Sequence, residues 1–237
     1  DHRISFFDGI PELLSNVEGK LSGLSRFWLK KIIDAQREKL LARKTSTCFS
    51  MSLGDVFRNG YYVDPEYVQK SGDPFCEDNA LEESIVSTLL EHKSILIYGE
   101  AGYGKTTILA KSFLKHVERF KSDNDYNMPF YLWLKDKNAN YHFDFSQYID
   151  ESFAENLNLQ PYPFLDLSDI SPCFYLDGFD ELAEEIPSTS VKRISTSSIF
   201  SHPLLLTSRI QYVRRYLGNY DLMNHFAVQI KINKWDA

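Results

Sequence analysis

The tightest constraint on how this chain folds is eight residues long. Gly99, Glu100, Ala101, Gly102, Tyr103, Gly104, Lys105 and Thr106 satisfy the pattern G-x-x-x-x-G-K-[ST], which functions where a buried strand ends and a helix begins. The flanks agree with that placement. Residues 94–98 are a short apolar run ending at Gly99, and residues 105–120 carry Leu109, Phe113, Val117 and Phe120 at helical spacing. In such a setting the glycines let successive N–H groups turn inward at a helix N-terminus and form a nest for phosphate oxygens. Lys105 is then placed to neutralise the β and γ phosphates and Thr106 to offer its hydroxyl to Mg2+. Thr107 follows where a hydroxyl or amide reaches the α phosphate.

The remaining apolar runs, at 129–134, 173–176, 204–207 and 226–232, have strand length, and 145–157 reads as a helix between them. This alternation predicts a three-layer α/β/α fold of the P-loop NTPase type, with a mostly parallel five-stranded sheet. A helical segment precedes it. Over residues 21–44, Leu21, Leu24, Trp28, Ile32 and Ala35 form an apolar stripe, and Lys30, Lys31, Arg37, Lys39, Arg43 and Lys44 fall largely between them as a solvated basic face. From 45 to 78 the periodicity fades, and Gly54, Gly60, Pro65, Gly72 and Pro74 mark a loop-rich connector. A further helix is expected to open at Asn79, with Glu82 completing a capping box and Leu81, Ile85 and Leu89 facing inward. The chain therefore divides into a helical lead-in over 1–48 and a nucleotide-binding domain over 49–237.

A second constellation follows the run at 173–176. Asp177 falls at the carboxyl end of a buried strand, where a Mg2+ ligand for phosphoryl transfer belongs. Gly178 leaves room beside a nucleotide. Asp180 and Glu181 bring two more carboxylates toward the γ phosphate, and either could polarise the attacking water. The third element is the run through Leu206 that ends in Thr207, Ser208 and Arg209. Its guanidinium has the fork geometry that matches phosphate oxygens.

Together the GEAGYGKT loop, the DGFDE pentad beginning at Asp177 and the LLLTSR strand resemble the NACHT family of the STAND class of signal-transduction ATPases, over roughly residues 50–237. The resemblance implies ATP or ADP as ligand and Mg2+-dependent, slow hydrolysis, with Lys105, Asp180, Glu181 and Arg209 in catalysis. It implies a metal held by Thr106 and Asp177, and Tyr62 and Val63 lining the adenine. It also implies that the strand bearing Thr207 lies between those bearing the loop and Asp177. Family members are switches that control oligomerisation and an effector, so self-association, a role in innate immunity or antiviral defence, and effector and sensor domains outside this stretch are expected. A chain opening on Asp1 rather than Met likewise reads as a piece of a longer polypeptide. The competing readings are a small-molecule kinase, a plain ATPase or a nucleotide-binding scaffold without turnover.

Composition narrows the setting. Among 237 residues, 43% are hydrophobic, which excludes a disordered chain, and 33 acidic against 26 basic residues give a net charge of −7. That balance argues against a coat for nucleic acid or an anionic membrane. Apolar runs fall well short of the ~20 residues of a membrane span. Cys48, Cys76 and Cys173 are too few and scattered for a disulfide framework, so a cytoplasmic location is expected. The six histidines match no zinc spacing.

Overall fold

Strands covered on both faces need continuous apolar runs, and the inner strands of the sheet come from such segments. The computed structural model describes residues 21–44, 51–75, 79–122, 127–134, 171–181, 198–217 and 222–234. Its strands are β1 (Tyr67–Ser71), β2 (Ser94–Tyr98), β3 (Asn127–Trp133), β4 (Ser171–Asp177), β5 (Leu204–Ser208) and β6 (Phe226–Ile232), in the order β1-β6-β2-β5-β4-β3. β2 to β6 run parallel, and β1 lies antiparallel to β6 at the edge. The helices are α1 (Leu21–Ala42), α2 (Leu53–Arg58), α3 (Leu81–Leu90), α4 (Lys105–Ser122) and a short α5 (Ile210–Tyr212) that continues as a π-helical turn, Val213–Leu217.

The fold is the expected α/β class, but the sheet has six strands instead of five. β1 escapes a reading based on burial because Tyr67, Val68 and Lys70 are exposed. An antiparallel edge strand is held mainly by backbone pairing, which the Asn233 N–H extends by donating to the Glu66 carbonyl at 2.9 Å. The supposed connector also contains α2, capped by a box in which the Asp55 N–H donates to Ser52 Oγ at 3.1 Å and the Ser52 N–H to Asp55 Oδ2 at 3.2 Å. The box expected at Asn79 does not form. Ala80 caps α3 without a side-chain bond, and Glu82 instead pairs with Lys111 of α4 at 2.9 Å. The inward face is as expected, with Leu81, Ile85 and Leu89 buried. The helix expected at 145–157 and the division at 48 lie outside the described residues.

Strand alternation sends neighbouring side chains to opposite faces. Tyr131 and Tyr175, in register across β3 and β4, meet Phe113 of α4 at ring separations of 5.8 and 5.5 Å. His116 lies below them, Nδ1 3.0 Å from the Tyr175 hydroxyl and Nε2 3.2 Å from the Asn127 carbonyl. Phe130 and Phe174 take the other face, stacked at 5.9 Å, with His202 beside Phe174. α1 and α3 pack on the same side as α4, and Leu29, Ile32, Ile33 and Leu40 of α1 join the common core. The β5-to-β6 connection crosses in the direction opposite to β2-α4-β3, so right-handed crossovers place α5 on the far face. No helix of the described residues is long and apolar enough to cross a membrane.

Candidate nucleotide site

β2 delivers Gly99 to the end of the sheet, where its N–H donates to the Ser208 carbonyl at 3.3 Å. A Cβ at this position would stand 2.9 Å from the Ile232 carbonyl oxygen, so a glycine is what lets β6 end beside the loop. Gly102 and Gly104 take φ values of 79° and 85°, a region that side chains disfavour. Glu100, Ala101 and Gly102 are exposed on the rim, and Tyr103 packs partly against the core. α4 then begins at Lys105, whose ammonium arches back and donates to the carbonyls of Gly99 at 3.0 Å and Glu100 at 2.7 Å. Burial lowers the Lys105 pKa; the Asp180 carboxylate opposes that shift and the Arg209 guanidinium adds to it. Thr106 and Thr107 occupy the first turn, both half-buried.

The Thr106 hydroxyl donates to Asp177 Oδ1 at 3.0 Å, and the Thr207 hydroxyl donates to the same oxygen at 2.8 Å. Thr207 also accepts from the Gly178 N–H at 2.9 Å, which fixes the turn after β4. These bonds follow from strand order, because β5 lies between β2 and β4, as the resemblance implied. The other carboxylate oxygen, Oδ2, accepts from Arg43 Nη1 at 2.8 Å and from the Tyr131 hydroxyl at 3.1 Å. Arg43 also donates to the Tyr131 hydroxyl at 2.6 Å and lies 3.6 Å above the Trp133 ring. Burial alone would lower the Arg43 pKa, but Tyr131 and Asp177 outweigh it and the pKa is raised.

Arg43 therefore corrects the sequence reading, which placed it on a solvated face. It ends an amphipathic helix among other cations, and its partner is 134 residues away. Tyr131 and Trp133 were likewise read only as strand residues. The usable signal is register: Trp133 pairs with Asp177, so the end of β3 supplies whatever covers the acid.

Asp180 sits in the helical turn at 179–181 and is bound by Arg209. Its Oδ2 is 2.9 Å from Arg209 Nε, and its Oδ1 accepts the Arg209 N–H at 3.0 Å. Burial raises the Asp180 pKa, with the Arg209 guanidinium opposing. The Glu181 side chain lies over Gly178, where an added Cβ would stand 3.5 Å from its Cδ. The structure thus gathers Lys105, Thr106, Asp177, Asp180, Glu181 and Arg209 around the ends of β2, β4 and β5. Tyr62 is placed differently: its ring packs on Phe57 at 6.0 Å and under Lys111 Nζ at 4.0 Å, while Val63 is exposed. Burial and then Asp64 push the Tyr62 pKa up.

The donor set fits a nucleotide-bound Mg2+. Among the described residues no cluster of three or more His, Cys, Asp or Glu could hold a metal. A cation between Thr106 and Asp177 would therefore take most of its ligands from phosphate and water, the habit of Mg2+. The adjoining loop offers Lys105 as the charge for such phosphates.

No protein-family model matches the sequence, and no curated protein matches it. Solved structures similar to the chain include Saccharomyces cerevisiae Hsp104 in its extended complex with casein, at 16% identity and a TM-score of 0.39 over 78% of this chain. They also include AMPPCP-bound DnaA from Aquifex aeolicus, at 17% identity and a TM-score of 0.33 over 67% of this chain. The chain spans 30% of the first and 47% of the second, less than half of either.

Proposed function

We propose that this chain binds ATP with Mg2+ through residues 99–107 and hydrolyses it slowly, and that within a longer protein the bound nucleotide governs self-association and an attached effector. The observation that carries the reading is the hydroxyl bridge at Asp177. Thr106 of the phosphate loop and Thr207 of the neighbouring strand converge on one carboxylate oxygen, so loop, acid and strand end form one unit. Bound Mg2+ would supply charge that weakens the bond to the γ phosphoryl group. Lys105 would leave its two carbonyl partners for the β and γ oxygens. Arg209, about one-third exposed, would turn toward γ-phosphate charge while its backbone stays tied to Asp180. That turn would free Asp180 Oδ2 while Oδ1 stays on the Arg209 N–H, and either Asp180 or Glu181 could then orient water. The switch role, and a setting in innate immunity or antiviral defence, rest on the resemblance of the DGFDE and LLLTSR segments to NACHT proteins.

Calorimetric titration with Mg2+ and ATP tests the reading. Lys105→Ala should weaken binding about tenfold or more, the loss expected of a charged hydrogen bond worth about 1.5–3 kcal/mol; unchanged affinity would remove the phosphate cradle. Phosphate release should depend on Asp180 or Glu181 more than nucleotide affinity does. Consumption of ATP only when an acceptor is added would replace the switch with a kinase.

A further inference from the structure

A carboxylate presents about four lone-pair directions, and four donors already use those of Asp177. Thr106 and Thr207 take Oδ1, and Arg43 and Tyr131 take Oδ2. The last cation is no incidental surface partner. Arg43 has 20% of its side chain exposed against 2% for Asp177, it stacks on Trp133, and it immediately follows α1, 134 residues before its partner. Its backbone is also tied down. The Arg43 N–H donates to the Leu40 carbonyl at 3.1 Å, and its own carbonyl accepts from Leu53 at 2.9 Å at the start of α2. The guanidinium that binds Asp177 and the backbone that bonds the end of α1 to the start of α2 therefore belong to one residue.

We propose that Arg43 is a resident cation of the Asp177 site, competing with hydrated Mg2+ for the Asp177 carboxylate and thereby coupling the docking of Arg43, and of the ends of α1 and α2 bonded to its backbone, to metal–nucleotide loading. The inference rests on the reading of Asp177 as a metal-site residue. A divalent ion drawn to this carboxylate repels the guanidinium already on it, and Trp133 offers the guanidinium an aromatic face only while it stays docked. Linkage makes the coupling reciprocal: whatever free energy Arg43 docking withdraws from Mg2+ binding, Mg2+ binding withdraws from Arg43 docking. α1 would then sense nucleotide state through the side chain that follows it.

The test uses the chain with a non-hydrolysable ATP analogue at fixed concentration. Nucleotide binding is first measured in EDTA, and Mg2+ is then titrated. Arg43→Ala should tighten the apparent Mg2+ affinity by about fivefold or more, the low end of common coupling factors. Arg43→Lys keeps the charge but loses the planar fork; it should fall between, and it serves if the alanine variant does not fold. In the wild type, Mg2+ should speed exchange of the Arg43 and Leu53 amides, which bond the Leu40 and Arg43 carbonyls, and that metal-dependent increment should vanish in either variant that shows tighter Mg2+ binding. Mg2+ affinity that is unchanged or weaker in the variants overturns competition and leaves Arg43 as a support for Asp177. Failure of the wild type to bind nucleotide at all overturns the site reading together with this inference, whereas normal nucleotide binding with no effect at Arg43 overturns the inference alone.

Discussion

Asp177 and Asp180 are close in the chain and both are buried, but the fold supports them in different ways. Asp177 is held from four sides by groups that belong to α4, β5, β3 and the residue following α1. Among the described residues, Asp180 forms its side-chain ion pair with Arg209, which also donates its backbone N–H. The contrast teaches that one acid is a structural keystone as well as a candidate ligand, and the other is adjustable. Burial raises the pKa of Asp180 because Arg209, with smaller help from a backbone hydrogen bond and Lys105, does not fully repay its desolvation. A group meant to change partners during a phosphoryl-transfer cycle suits the second arrangement. A group meant to fix the relative positions of loop and strands suits the first.

The sharpest way to break the contrast is Asp177→Asn, which leaves Arg43 half-buried opposite a neutral amide. Urea unfolding should show a loss of about 2–3 kcal/mol, together with loss of the Mg2+ dependence of nucleotide binding; a neutral effect on stability would deny the keystone role. Thr207→Val keeps the shape but removes one donor to Asp177 and the acceptor for the Gly178 N–H. It should cost about 1–2 kcal/mol, read by the same unfolding curve. Asp180→Asn should cost less than about 1 kcal/mol, because its Arg209 partner is about one-third exposed. If Asp180→Asn proves as costly as Asp177→Asn, the two acids are alike and the distinction fails.

The smallest effect concerns pH. With its pKa raised in the folded state, Asp180 keeps its proton to higher pH in the native protein than in the unfolded chain. Between the ordinary carboxylate value and the raised one, the native state binds more protons, so this group's contribution to stability falls as pH rises through that window. Stability measured across it should lose that segment of slope in Asp180→Asn; an identical profile would place the pKa shift elsewhere.

Much of the sheet was legible because β2, β4 and β5 are buried along nearly their whole length and β6 keeps every second residue buried. Residues 94–98 and 226–232 were read with the bounds the structure gives, and the inner face of α4 matched residue for residue in Leu109, Phe113, Val117 and Phe120. β1 and α2 were not legible. One is an exposed edge strand, and the other is a six-residue helix whose signal is a single capping box. The Asn79 cap failed for a complementary reason: its proposed partner Glu82 found a lysine on another helix, and local propensity yields when tertiary contacts compete.

The sequence by itself determined the phosphate loop, the acid at a strand end and the strand-end arginine, because each is a short contiguous pattern tied to a backbone conformation. Only the tertiary structure decided which charge meets which. Arg43 looked like one more solvated cation until the register of β3 and β4 placed Trp133 and Tyr131 beside Asp177 and the packing of α1 brought the guanidinium onto them. Pairing of this kind is set by strand order and helix docking, distances that no local window of sequence encodes.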